Sequence, residues 1–197
     1  MANQVEIVNL ALNHLGESDF ILSMNENIKS ARVANLVWNT AKEKVLSDHP
    51  WKFALKRASL ASLVDVPVYE YTNQFQLPSD FLHLVELSDS DKPIQDFEIN
   101  GTYILCDESI VYLKYVYDVV NTDLFSASFV DCFSLFLAHK MCNNITGNRN
   151  KTNELFDLYT RELSIAKEND ATQASPKGYI NDDLWTDKVR DGGGLIY

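Results

Sequence analysis

Basic residues are scarce in this sequence of 197: 17 lysines and arginines face 28 aspartates and glutamates, a net charge of −11. Such a chain meets every partner as a polyanion, which excludes free nucleic-acid binding through a basic face. Cysteine is limited to Cys106, Cys132 and Cys142, an odd number at spacings that fit neither a zinc motif nor a redox pair. They read as reduced, buried small hydrophobes. Glycine is sparse as well, and its only run, Gly192-Gly193-Gly194, has no strand before it and no helix after it. Phosphate-binding loops, dinucleotide fingerprints and G-x-S-x-G elbows are therefore missing. The four histidines, His14, His49, His83 and His139, stand far apart, so no metal or cofactor is expected. The longest apolar stretch is broken by Asp131, His139 and Lys140, which argues against a membrane span. The opening Met1 to Glu6 carries no basic leader ahead of an apolar core, and the expectation is synthesis in a reducing cytoplasm. Asn144-Ile145-Thr146 and Asn150-Lys151-Thr152 then match the glycosylation pattern by chance.

What the chain does have is apolar mass. Hydrophobic residues make up 46% and aromatics 11%, with only 23% charged, so a packed core is expected. Val5, Ile7, Val8, Ala11, Leu12 and Leu15 repeat at helical spacing between an Asn3/Glu6 cap and Gly16, which predicts a helix over 4–15. Ala31, Ala34, Val37, Trp38, Ala41 and Val45 predict a second, with Asn25 or Asn27 as its cap and Pro50 enforcing its end. From Trp51 to Tyr117 the pattern turns to short strands, through Tyr69-Glu70-Tyr71 and Phe75-Gln76-Leu77 to a turn at Pro78-Ser79-Asp80 with a short helical step into Phe81-Leu82. Val85 and Leu87 suggest another strand, and Asn100-Gly101 a hairpin turn with positive φ at both residues. Ile110–Tyr117 would place Val111, Leu113, Tyr115 and Tyr117 on one face, with Lys114 on a wetter one.

Leu124 to Cys142 is apolar around most of a helix and is the expected core helix, ended by Gly147. A fourth helix over about 152–170 sets Leu155, Leu158, Tyr159, Leu163 and Ala166 on one face, with Asp157 and Arg161 as an i,i+4 pair. Beyond Ala171 the periodicity stops. Tyr179, Ile180, Leu184, Trp185, Val189, Leu195, Ile196 and Tyr197 remain as spaced apolar groups whose exposure would cost about 25 cal/mol per Å2. We read residues 171–197 as an extended tail that docks on something, with a reach on the order of 90 Å at roughly 3.3 Å per residue. The fold class is thus α+β: a helical bundle from 1–50 and 121–170, an inserted β-rich domain over 51–120, and the tail.

Chemistry is thin. His139 and Cys142 share a helix face but lack further ligands, and the pairs Asp89/Asp91 and Asp182/Asp183 read as solvated charge. Lys52, Lys56 and Arg57 are the only local basic cluster, enough for a small anion contact. The nine tyrosines and ten phenylalanines suit a core and a subunit interface alike.

One ordered series of motifs stands out: Leu15-Gly16-Glu17; Leu46-Ser47-Asp48-His49-Pro50-Trp51-Lys52-Phe53-Ala54; Tyr71; Leu77-Pro78-Ser79-Asp80-Phe81-Leu82; Asn100-Gly101; Leu113-Lys114-Tyr115-Val116-Tyr117; and the Phe-rich helix to Thr146. Over roughly residues 4–170 this series resembles the head-to-tail connector, adaptor or head-completion proteins of short-tailed bacteriophages, the tail tubular protein A family. Pro50, Trp51 and Phe53 would form its structural corner, with Pro50 stopping the helix and the aromatics folding back where helical and strand layers meet.

The resemblance implies a non-enzymatic structural protein of the virion's head–tail junction, made in the bacterial host cytoplasm. It would form a homo-oligomeric ring, a dodecamer, beneath the portal protein ring and offer a platform to the next tail component, a nozzle or second ring. Double-stranded DNA would pass through its channel, during ejection among other steps, without specific binding, and no membrane is involved. Tyr179, Leu184, Trp185, Leu195, Ile196 and Tyr197 would anchor the tail on the portal. Two other classes compete: a small acidic hydrolase with a carboxylate pair in a cleft about 5 to 10 Å apart, and an acidic adaptor that binds another protein through its tail.

Overall fold

Asn3 and Glu6 close a capping box, with Asn3 N–H donating to Glu6 Oε2 at 2.8 Å and Glu6 N–H to Asn3 Oδ1 at 2.9 Å. Helix α1, Gln4–Leu15, follows and ends at Gly16, whose φ of 74° suits glycine. The computed structural model describes residues 2–90 and 92–172. After α1 the chain is pinned rather than loose: the Asn9 amide exchanges two 2.9 Å hydrogen bonds with the Ile21 backbone and buries that side chain. Helix α2, Lys29–Ser47, starts at Ile28 without a side-chain cap, so neither Asn25 nor Asn27 has the expected role. Asn27 instead accepts from Arg32, and Glu26 takes the Leu22 and Ser23 amides.

Among the described residues, seven strands form two antiparallel sheets. The larger has the order β1 (Leu55–Ala61), β7 (Ile110–Tyr117), β3 (Phe81–Asp89), β4 (Lys92–Pro93). The smaller has the order β2 (Asn73–Gln76), β6 (Tyr103–Cys106), β5 (Glu98–Asn100). Val111, Leu113 and Tyr115 of β7 do share a buried face, with Phe75, Ile104 and Cys106 of the smaller sheet in the same cluster. Val116, on the opposite face, joins the helical core. One strand thus serves two layers: helices behind its C-terminal end, the smaller sheet in front.

Strand β3 corrects the expectation of a helical step at Phe81-Leu82. Two register irregularities, between Phe81 and His83 and between Leu84 and Glu86, let Phe81, Leu84 and Leu87 all pair on the front face. The displaced Leu82 and Val85 pack on the helical cluster. Asn100 pairs with Tyr103, which makes Gly101 and Thr102 the turn residues, and only Gly101 has positive φ, at 62°. This is the geometry of a turn with glycine at its first central position. Tyr69-Glu70-Tyr71 is not a strand but part of an exposed loop over 62–72, where Glu70 has a φ of 69°.

Helix α3, Ala127–Ile145, is capped by Ser126 and is the centre of the bundle, packed on α1, α2 and the fourth helix. That fourth helix, α4, spans Arg149–Ala171, three residues longer at its start than expected because Asn148 accepts from the Asn150 and Lys151 amides. Leu155, Tyr159, Leu163 and Ala166 are buried, while Leu158 is exposed and Asp157 and Arg161 form no ion pair. All three cysteines are buried. No helix among the described residues is long and apolar enough to cross a membrane.

Candidate interaction surfaces

The corner after α2 is built from the inside. Pro50 is exposed, and Trp51 turns inward to full burial, its indole N–H donating to the Val45 carbonyl at 2.9 Å. Its ring meets Phe129 edge-on at 5.1 Å and His49 at 5.0 Å. Half-buried Phe53 contacts Phe129 at 5.1 Å and Phe125 at 5.7 Å. Such aromatic pairs add roughly 0.5 to 1.5 kcal/mol each beyond area burial. Proline at 50 and tryptophan at 51 therefore lock the chain where it leaves the bundle for the sheets.

Polar groups from α4 clasp the same corner. Tyr159 donates to Asp48 Oδ2 at 2.6 Å, and buried Asp170 takes His49 Nε2 at 3.0 Å and the Lys52 amide at 3.3 Å. Burial, and then Asp48, pushes the Tyr159 phenol above its ordinary range. Lys42, only 5% exposed, sits 2.6 Å from Asp118 Oδ1 as a charge contact that ties α2 to the chain leaving β7.

A second polar knot joins the strands. Asp80 accepts from Lys56 Nζ at 2.6 Å and from Tyr115 at 3.0 Å. Its burial works against ionisation, yet these two bonds hold the carboxyl below its usual range. Burial, with the Asp80 hydrogen bond and charge, pushes the Tyr115 phenol from 10.0 up to about 12. Between those values the unfolded phenol ionises while the folded one keeps its proton. Stability should be level in Tyr115's contribution below pH 10 and fall as pH rises towards 12. Urea unfolding of Tyr115→Phe across that window should show a shallower fall than the parent; an identical fall would contradict the assignment.

The remaining chemical groups serve the fold. His139 Nδ1 meets the Thr152 carbonyl at 3.0 Å, and Cys142 Sγ lies against Thr146 and the Asn148 carbonyl, so both are used in the α3–α4 connection. His14 meets Ser134 at 3.2 Å, its pKa lowered by burial despite Asp131. Among the described residues no group of three or more His, Cys, Asp or Glu is placed to hold a metal. Lys56 is engaged by Asp80, which removes it from the expected cluster with Lys52 and Arg57. Asp91 and the pair Asp182/Asp183 lie outside the described residues.

The surface that sequence reasoning missed is the 62–72 loop. Leu63, Val64, Val66, Val68 and Tyr69 are all exposed there, Val64 at 97% and Val68 at 98%. Five large apolar side chains exposed in one short segment make this loop a candidate interaction surface. The signal in the sequence is Val64, Val66 and Val68 at alternate positions, a strand-like pattern in a segment that pairs with no strand among the described residues. The expected anchors Tyr179, Leu184, Trp185, Leu195, Ile196 and Tyr197 lie outside the described residues. No protein-family model matches this chain, and no curated protein does.

Proposed function

We propose that this chain is a structural head-to-tail connector that assembles as a ring beneath a phage portal, continues its DNA channel and carries the next tail component. The observation that carries the reading is the corner: the motif series that resembles the connector family folds with Trp51 fully buried at the joint between the bundle and the sheets. The exposed apolar loop adds support, because five such side chains in water are suited to cover by a partner surface, as an assembled ring or a neighbouring component would provide. The acidity also fits. Twelve copies at −11 carry a charge on the order of −130, which would keep passing DNA from adhering over a screened range of roughly 10 Å.

The full chain should co-sediment with portal-containing heads and stay in the supernatant with heads that lack a portal. Equal recovery with both would contradict the reading. The hydrolase alternative draws less from the molecule: Asp89, Asp96, Asp107 and Glu108 line one depression, but only Asp89 is half-buried and the other three are exposed, and Asp96 and Asp107 already accept from Tyr71 and Thr72. A general acid needs an environment that holds its proton.

A further inference from the structure

The outer face of the larger sheet, where it rises beyond the helices, is laid out in rungs. Register sets Arg57 opposite Lys114 and Lys114 opposite Glu86; the next rung is Ser59, Tyr112 and Ser88. Together they line a depression of about 330 Å3. Like charges directly opposite destabilise a sheet. The one carboxylate on the rung, Glu86, reaches Lys114 Nζ only at 4.0 Å, and Arg57 has no ion-pair partner among the described residues. Two cations thus share one carboxylate on this rung, and in a chain with 28 acids and 17 bases the remaining positive charge is suited to carboxylates from outside.

Such carboxylates occur at the other edge of the same sheet. Asp89, Asp96, Asp107 and Glu108 line a depression of about 490 Å3 beside β4, with Lys92 as the base among its lining residues. Asp96 and Asp107 accept from Tyr71 and Thr72 at 2.9 to 3.2 Å, whereas Asp89 takes a 3.4 Å bond from neighbouring Ser90 and Glu108 is exposed, so Asp89 and Glu108 are the acids best placed to reach a partner. With the order β1-β7-β3-β4, the cationic patch lies towards one edge and the anionic patch at the opposite one. Complementary patches on different sides of one chain make a head-to-tail contact, which repeats and closes into a ring when the rotation per copy allows.

We propose that Arg57 and Lys114 bind Asp89 and Glu108 of a second copy of this chain. The inference deepens the ring reading and rests on it for closure, while the pairwise contact stands by itself. The test uses the full chain in sedimentation velocity at low and moderate salt. The parent should associate, more weakly as salt rises, and the double variant Arg57→Glu/Lys114→Glu should lose at least about tenfold in association constant. Asp89→Lys/Glu108→Lys should lose as much. An equimolar mixture of the two variants should recover association, because each then supplies the patch that the other lacks. Circular dichroism controls for folding, which these surface changes should preserve.

A parent that stays monomeric under all these conditions, charge-reversed chains that associate like the parent, or a mixture without recovery would each overturn the contact. Arg57-dependent retention of duplex DNA by the parent would overturn it in favour of a phosphate partner. Recovery in the mixture together with no binding to portal-containing heads would sink the connector reading and leave this contact standing; rings that persist on heads with both charges reversed would do the opposite.

Discussion

Trp51→Ala should cost about 3 to 5 kcal/mol of folding stability, a large part of the roughly 5 to 15 kcal/mol typical of a domain. The indole is fully buried, so its removal leaves a cavity bordered by Phe129, Phe53 and His49. It also leaves the Val45 carbonyl without its donor. For a chain of this size the loss corresponds to a Tm lower by roughly 6 to 20 °C. Thermal unfolding followed by far-ultraviolet circular dichroism checks it. If the variant melts with the parent yet fails to assemble, the corner is an interface and not the joint described above.

Deleting residues 175–197 should abolish capture by portal-containing heads while the remaining protein stays folded. Among the described residues, both hydrophobic clusters run between Ala2 and Ala166, and α4 is held to the corner through Asp170. The segment carries Tyr179, Leu184, Trp185 and Leu195-Ile196-Tyr197, and burial of such groups at about 25 cal/mol per Å2 is what would supply affinity. An unchanged melting curve with loss of co-sedimentation is the expected pair of results. Co-sedimentation of the truncated chain at parental levels would refute the tail's role.

Local signals carried the helices. Helix α1 was legible in full because its capping box and its Gly16 stop are both written within the segment. Helix α4 was read short because Arg149-Asn150-Lys151 contains no apolar residue to extend the period, although Asn148 caps it. The strands were harder for a physical reason: a strand is defined by its partner. Tyr69-Glu70-Tyr71 has strand composition and no partner, whereas β3 hides its strand behind two irregularities that break the alternation of Phe81, Leu84 and Leu87.

The interaction surfaces divide in the same way. Trp51 was legible from Pro50 beside it, since proline ends the helix and an adjoining indole must find cover. The clasp that Asp170 and Tyr159 place on that corner was not, because its partners lie far apart in the chain. Lys42 reads as a solvent-facing helix residue and is buried against Asp118 for the same reason. Arg57 was singled out with Lys52 and Lys56, its neighbours in sequence. Its relevant neighbour is Lys114, across the β1–β7 ladder.

In the proposed function, copies of this chain form a closed ring on a portal. Electron microscopy of the full chain mixed with a purified portal ring measures this directly, through the rotational symmetry of class averages down the particle axis. The expected result is a second ring of density stacked on the portal, with about twelve repeats around an open channel. Portal rings that remain bare, or single chains attached without rotational symmetry, would contradict it.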